Sequence, residues 1–131
     1  MSRILVIEDD PKIRKVLRKL LEREGHDVEE ASDGLEGLRL YRKKPADLVI
    51  TDIIMPRKEG LETILDLRRE FPDVKIIAIS GGGRLGPHLY LEVAEGFGAF
   101  RVFSKPFDLE ELQGAILELL GEEPRREGEN N

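Results

Sequence analysis

Five short runs of β-branched and aliphatic residues alternate with longer amphipathic stretches along the chain. The runs predict strands at Arg3–Ile7, Val28–Ala31, Leu48–Thr51, Lys75–Ile79 and Arg101–Ser104. Strands that alternate with helices form parallel sheets covered on both faces, with right-handed crossovers. The pattern therefore predicts an α/β fold: a doubly wound five-stranded parallel sheet, flavodoxin-like (βα)5, with strand order 2-1-3-4-5.

Capping and stop signals delimit the predicted helices. An Asp before the first apolar repeat predicts an N-cap, and Gly or Pro after the last repeat predicts an end. The fourth helix has the weakest pattern and is interrupted by a glycine. The apolar repeat of the fourth helix consists of Leu89, Val93 and Phe97. The signals for the other helices are Asp10-Pro11 and Gly25 for the first, Asp33-Gly34 and Pro45 for the second, Pro72 after the third, and Asp108 before the fifth.

Length and composition limit the classes of protein to consider. The 131 residues suffice for one domain, predicted over residues 1–120, and the polar segment 121–131 is predicted to be disordered. A net charge of −6 argues against direct DNA binding. No apolar run could span a membrane, no secretory signal pattern is present and there are no cysteines, so a cytoplasmic location is expected.

Polar residues follow four of the five predicted strands. Glu8 and Asp9 follow the first strand, Asp52 the third, Ser80 the fourth and Lys105 the fifth. In a doubly wound sheet the carboxyl ends of the strands flank a crevice where the strand order reverses. We therefore expect these side chains to converge there.

Three converging carboxylates repel one another, and a hard divalent cation such as Mg²⁺ would relieve that repulsion. Lys105 adds a positive charge and Ser80 a hydroxyl donor. A nucleophilic carboxylate, a metal and cationic groups are the requirements of phosphoryl transfer to an aspartate. Each residue alone has an ordinary explanation, such as helix capping for Glu8-Asp9, so the prediction depends on their combination. Asp10 is expected to act only as a cap.

Several segments carry motifs in a fixed order over about residues 2 to 120. They are Ile4–Arg14 with the acid pair, Asp47–Pro56 followed by Glu59-Gly60, Ile76–Ser80, Gly98-Ala99, and Phe103–Phe107. In this combination the chain resembles the receiver domain of two-component response regulators, of the chemotaxis type that consists of a single domain.

The resemblance implies a phosphoacceptor and a metal site. Asp52 would accept the phosphoryl group. Asp9 and Asp52 would bind Mg²⁺ or Mn²⁺ directly, and Glu8 would act largely through water. Ile54 would contribute its backbone carbonyl, so its apolar side chain is compatible with the role.

The resemblance also implies roles on strands four and five. Ser80 would bond the phosphoryl group, and Lys105 would pair with a phosphoryl oxygen or with unmodified Asp52. The Lys105-Pro106 bond would be cis. Receivers often have an aromatic switch residue where this chain has Val102, with Phe103 beside it, so an aromatic switch coupled to Ser80 is in doubt. The loop after Ser80 begins with three glycines, which raises the entropic cost of ordering it.

The implied function is that of a single-domain response regulator. A sensor histidine kinase or phosphotransfer protein would phosphorylate Asp52, and an unidentified downstream protein would recognise the altered surface. No direct DNA binding, membrane binding or turnover of outside substrates is expected. A phosphorylation-dependent homodimer through the predicted fourth and fifth helices is a further hypothesis. His26 and His88 are expected to lie on the surface, without a phosphorelay role.

Three alternative functions compete with this one. A phosphatase of the haloacid dehalogenase type would need a second Asp two residues after Asp52, where this chain has Ile54. A flavodoxin-type binding module would need a phosphate loop after strand one, where the acid pair stands. The third alternative, a degenerate receiver that binds proteins without being phosphorylated, is kept because of Val102 and the glycines.

Overall fold

The computed structural model describes residues 2–53, 60–80, 101–104 and 106–121. These residues form one parallel sheet of five strands in the order β2-β1-β3-β4-β5. The strands are β1 (Arg3–Ile7), β2 (Asp27–Ala31), β3 (Leu48–Asp52), β4 (Ile76–Ser80) and β5 (Arg101–Ser104), and the described helices are α1 (Pro11–Arg23), α2 (Gly34–Lys43), α3 (Gly60–Glu70) and α4 (Leu109–Leu120). The predicted fold class and strand order are confirmed.

Carboxylate caps start three of the helices. The side chain of Asp10 accepts a hydrogen bond from the Lys12 amide at 2.9 Å, with Pro11 at the first helical position. Asp33 caps α2 and Asp108 caps α4 in the same manner. Each cap satisfies amide donors that have no partner within the helix. Gly25, predicted to stop α1, follows the helix at a φ of 90°, a conformation that glycine adopts without strain.

Two apolar cores lie on opposite faces of the sheet. Successive strand residues point to opposite faces, so each buried strand contributes to both cores. The first core lies between the sheet and helices α2 and α3, and the second lies between the sheet and helices α1 and α4. The first includes Leu5, Ile7, Leu38, Tyr41, Val49, Ile64, Leu67, Ile76 and Ala78; the second includes Ile4, Val6, Leu17, Leu21, Leu48, Ile50, Ile77, Ile79, Leu112 and Ile116.

Most predicted element boundaries agree with the structure to within one or two residues. The predicted position of the second strand at a sheet edge is confirmed. Phe71 lies just beyond the end of α3 and packs edge-on against the Tyr41 ring, with centroids 4.7 Å apart. The predicted fourth helix and the tail from residue 122 lie outside the described residues. Helix α4 is therefore the helix predicted as the fifth. Within the described part of the chain, no helix has the length and apolar character needed to cross a bilayer.

The surface position predicted for His26 is wrong. Only 6% of this residue is exposed. Its amide donates to the Leu21 carbonyl at 3.1 Å, which holds the residue against the end of α1 as the chain turns into β2. A polar residue at a strand start is exposed only when the preceding helix leaves it uncovered, and the sequence pattern carries no information on that packing. His88 lies outside the described residues.

Gly37 allows α2 to approach β1 closely, and this contact gives a stability prediction. A Cβ atom at Gly37 would lie 2.3 Å from Cδ1 and 2.7 Å from Cγ1 of the fully buried Ile7. We expect Gly37→Ala to lower the free energy of unfolding by about 1–2 kcal/mol, because overpacking outweighs the gain in helix propensity. Urea denaturation would measure the change.

Gly114→Ala is the matched control. Gly114 also lies within a helix, but a Cβ atom there would meet nothing within 4 Å. This variant is expected to gain up to about 1 kcal/mol from helix propensity alone. Equal gains in the two variants would contradict the packing role assigned to Gly37.

Candidate functional site

The register of β1 and β3 brings two acidic residues together at one edge of the sheet. The strands are hydrogen-bonded neighbours, with Ile7 opposite Thr51, so Glu8 and Asp52 each come one residue further. Both continue the alternation of residues that face the second core. The two carboxylates therefore leave the sheet on the same face, beside the start of α1.

Glu8, Asp9 and Asp52 form a cluster in which one carboxylate oxygen from each lies within 4.8 Å of the others. Glu8 is 1% exposed and Asp52 4% exposed, whereas Asp9 is exposed. Like charges this close repel one another, and a bound divalent cation would relieve the repulsion. The cluster consists only of hard oxygen donors and opens to solvent at Asp9, which fits Mg²⁺ bound through carboxylates and retained water. The predicted convergence of the three acids is confirmed.

Backbone and side-chain hydrogen bonds hold the acid pair in place. The Glu8 amide donates to the Ala31 carbonyl of β2 at 3.0 Å. The Asp10 amide donates to Oε2 of Glu8 at 3.2 Å, and Asp10 itself caps α1, as predicted. Nη1 of Arg14 donates to the Glu8 carbonyl at 2.7 Å.

Arg14 was not singled out from the sequence. One signal could have identified it. The residue lies four positions after the cap Asp10, and long helical side chains point back towards the N-terminus of their helix. Its side chain is thereby directed towards the acid pair.

Asp52 ends β3 between two neighbouring strands. It lies opposite Ile79 of β4, and the next amide, of Ile53, donates to the Ile79 carbonyl at 2.9 Å. The hydroxyl of Thr51 donates to the Asp52 carbonyl at 3.1 Å. The backbone on both sides of the carboxylate is thus fixed in the sheet.

The remaining predicted site residues are described only in part. Ser80 ends β4 opposite Ser104, the last residue of β5, so its backbone lies at the same sheet edge as Asp52. The side chain of Ser80 and all of Ile54 and Lys105 lie outside the described residues, as does the predicted cis bond before Pro106. Their assigned roles stay predictions.

Val102 and Phe103 point to opposite faces of the sheet. Val102, which lies opposite Ala78 of β4, packs against the first core, whereas Phe103 packs against the second. The Arg101 guanidinium lies over the Phe103 ring, 5.7 Å from its centroid. Phe103 therefore cannot occupy the place of an aromatic residue at position 102.

The family model of the response regulator receiver domain matches residues 4–117 of the sequence. The chain belongs to this family. Among curated relatives, the response regulator MprA of a Mycobacterium species is 36% identical over 118 residues, which are 90% of this chain and 50% of that protein. Sporulation initiation phosphotransferase F of Bacillus subtilis is 28% identical over 91% of this chain and 94% of its own length.

Solved receiver domains share the fold. A receiver domain protein from Clostridium thermocellum superposes with a TM-score of 0.84 at 31% identity, over 92% of this chain and 95% of that one. The response regulator TrrA of Thermotoga maritima, solved in complex with Mg²⁺ and BeF, gives a TM-score of 0.81 at 34% identity, over 91% and 99% of the two chains.

The comparisons confirm the resemblance to receiver domains of two-component systems, whose partners are histidine kinases or phosphotransfer proteins. The acidic cluster is typical of the receiver Mg²⁺ site. This chain spans about half the length of several relatives, 50% of MprA and 49% of the DNA-binding regulator RpaA of Synechocystis.

Proposed function

We propose that this protein is a phosphorylation switch in which Asp52 accepts a phosphoryl group, with Mg²⁺, from a histidine kinase or phosphotransfer protein. The observation that carries the proposal is the carboxylate cluster of Glu8, Asp9 and Asp52 at the point where strand order reverses. In that cluster Asp52 is nearly buried and held at the end of β3. A carboxylate fixed in this way is preorganised for in-line attack.

The transfer forms one bond and breaks one bond. An Asp52 carboxylate oxygen attacks the phosphorus, and the bond from phosphorus to the donor's imidazole nitrogen breaks. The electron pair of that bond returns to the imidazole, which takes up a proton, and Asp52 becomes an acyl phosphate. A bound Mg²⁺ would neutralise part of the negative charge at the site. Asp9 and Asp52 would bind it directly, Glu8 through water and Ile54 through its carbonyl.

Ser80 and Lys105 would hold the phosphoryl group after transfer, the former by its hydroxyl and the latter by its charge. The modification adds about −1.5 to −2 charge and several strong acceptors at the edge of the sheet. Movement of Ser80 towards the new oxygens would shift the population of loop conformations after β4. With Val102 rather than an aromatic residue in β5, this shift would proceed without an aromatic switch.

The signalling output follows from the same proposal. The protein would act as a single-domain response regulator in the cytoplasm, without direct DNA or membrane binding. It would turn over no outside substrate, and its only chemistry would be phosphorylation and dephosphorylation of Asp52. A separate protein would recognise the modified surface, and a homodimer through the predicted fourth and fifth helices is one form of that output. Unchanged sedimentation with a phosphoryl mimic would contradict the homodimer.

The proposal is tested with the purified protein and a small phosphodonor, with Mg²⁺ and with a chelator. We expect intact mass to increase by one phosphoryl group only when Mg²⁺ is present, because the carboxylates otherwise repel the donor. Peptide mapping is expected to locate the added mass on the segment that contains Asp52. A folded protein that gains no mass would instead support the degenerate receiver, a scaffold that binds partners without phosphorylation.

A further inference from the structure

We propose that Arg14 is a positioning residue for the metal site: it fixes the peptide that joins Glu8 to Asp9 and thereby sets the affinity of the acidic cluster for divalent cations. This inference rests on the proposed function, because it assumes that the cluster binds Mg²⁺. It concerns a residue of α1 that lies outside the cluster itself.

Arg14 joins three elements of the fold. Nη1 donates to the Glu8 carbonyl at 2.7 Å, just beyond the end of β1. Nε donates to Oε1 of Glu30, on the edge strand β2, at 3.1 Å. The Arg14 side chain is only 21% exposed, so both bonds are partly shielded from water. Glu30 therefore fixes the guanidinium through Nε, while Nη1 of the same group fixes the backbone carbonyl of Glu8.

The contact with the Glu8 carbonyl acts on Asp9 through the planarity of the peptide. The Glu8 carbonyl and the Asp9 amide belong to one rigid unit. The other side of Glu8 is held by the bond from its amide to Ala31. With both its amide and its carbonyl bonded, Glu8 has little freedom to rotate, and the direction in which the chain enters Asp9 is set.

This restraint matters most for Asp9, which is the exposed member of the cluster and lies beyond the last residue of β1. A carboxylate on a freely rotating peptide would lose conformational entropy each time it bound a cation. Hydrogen bonds that orient metal ligands commonly contribute tenfold or more to metal affinity. The bond from Arg14 orients the Glu8-Asp9 peptide and, through it, the Asp9 carboxylate.

Arginine suits this role better than lysine. Its planar fork donates in two fixed directions at once, here to a backbone carbonyl and to a carboxylate. An ammonium group is a point charge without that fixed geometry. Arg14→Lys should therefore keep the charge but recover only part of the effect.

Arg18 provides a matched control on the same helix. It lies one turn further along α1, where it also pairs with Glu30, and it bonds Glu22 at 3.3 Å. These carboxylates raise the pKa of the Arg18 guanidinium. Arg18 shares the charge, the helix and the acidic partner of Arg14, but its bonds in the described part of the chain go to Glu30 and Glu22. Removal of Arg18 tests the loss of a nearby charge without loss of the bond to Glu8.

The test is Mg²⁺ binding to the full chain by isothermal titration calorimetry. We expect Arg14→Ala to raise the Kd for Mg²⁺ about tenfold, Arg14→Lys to raise it by less, and Arg18→Ala to change it less than about twofold. With a small phosphodonor, the half-saturating Mg²⁺ concentration should rise by the same factor as the Kd. The phosphorylation rate at saturating Mg²⁺ should be unchanged, a separation that general destabilisation would not produce.

Hydrogen exchange of the Asp10 amide, which donates to Glu8, provides a second readout without metal. It should be faster in Arg14→Ala than in Arg18→Ala. Wild-type affinity in folded Arg14→Ala, or an equal loss in Arg18→Ala, would overturn the inference and leave the proposed function intact. If Arg14→Ala does not fold, the same comparison is made with Arg14→Lys. Absence of Mg²⁺ binding by the wild type would refute the proposed function, and the inference with it.

Discussion

Asp52→Asn is expected to abolish phosphoryl transfer and, at the same time, to make the metal-free protein more stable. The first effect follows because an amide oxygen is a poor nucleophile and the variant has no carboxylate at position 52. The second follows because Asp52 lies within 4.8 Å of two other acids and is 4% exposed. Substitution by the isosteric amide removes one charge from this cluster.

The two effects have opposite signs and are measured separately. In the presence of a chelator, the free energy of unfolding in urea should rise by about 0.5–2 kcal/mol. This is the range that single stabilising substitutions commonly give when they remove a group kept for function. Mg²⁺ at one hundred times its Kd stabilises a folded protein by about 2.7 kcal/mol through mass action. The Asp52→Asn variant should show much less of this stabilisation, since it has lost a ligand.

Asp10→Asn is the control for this experiment. Asp10 is the next acid along the chain from Asp9, but it caps α1 and lies outside the cluster. Asparagine caps helices about as well as aspartate. Phosphorylation and the response to Mg²⁺ should therefore be retained in Asp10→Asn. Residual phosphorylation of Asp52→Asn at the wild-type rate would exclude Asp52 as the acceptor.

Leu17→Ala is expected to lower the free energy of unfolding by about 2–5 kcal/mol. Leu17 is fully buried in the second core, where α1 packs on the sheet. Truncation removes buried apolar surface and leaves a cavity that the surrounding strands cannot fill. Since domains of this size are stable by about 5–15 kcal/mol, the loss is a large part of the total. Urea denaturation monitored by circular dichroism would measure it.

Val16→Ala, one position earlier on the same helix, is the matched control. Val16 is 49% exposed, so its truncation should change stability by no more than about 0.5 kcal/mol. Similar losses in the two variants would contradict the role assigned to Leu17 in the core, because alanine has the higher helix propensity and propensity alone would not cause a loss.

Helix α1 connects the site to the core. Its first residues follow the cap Asp10, its second turn carries Arg14, and Leu17 and Leu21 anchor it in the second core. A helix anchored in this way is a rigid support for a metal ligand, because its backbone cannot shift without opening the core.

The strands and most helices followed from local patterns in the sequence, and the strand order followed from the common layout of doubly wound sheets with five strands. Apolar runs, caps such as Asp33 and Asp108, and helical spacing act over a few residues, so they can be read before any contact is known. The acidic cluster was also predictable, because parallel strands always bring their carboxyl ends to one edge. Glu8 and Asp9 follow β1 and Asp52 ends β3, and the predicted strand order makes these two strands neighbours.

Other features depend on packing between residues far apart in the chain. The link from Arg14 to Glu30 requires the register of β2 against β1, and the burial of His26 requires the turn between α1 and β2. The contact of Gly37 with Ile7 depends on how closely α2 approaches the sheet. Many side-chain arrangements satisfy the same local pattern, and only the packed structure selects one of them, because each contact depends on the positions of all its neighbours.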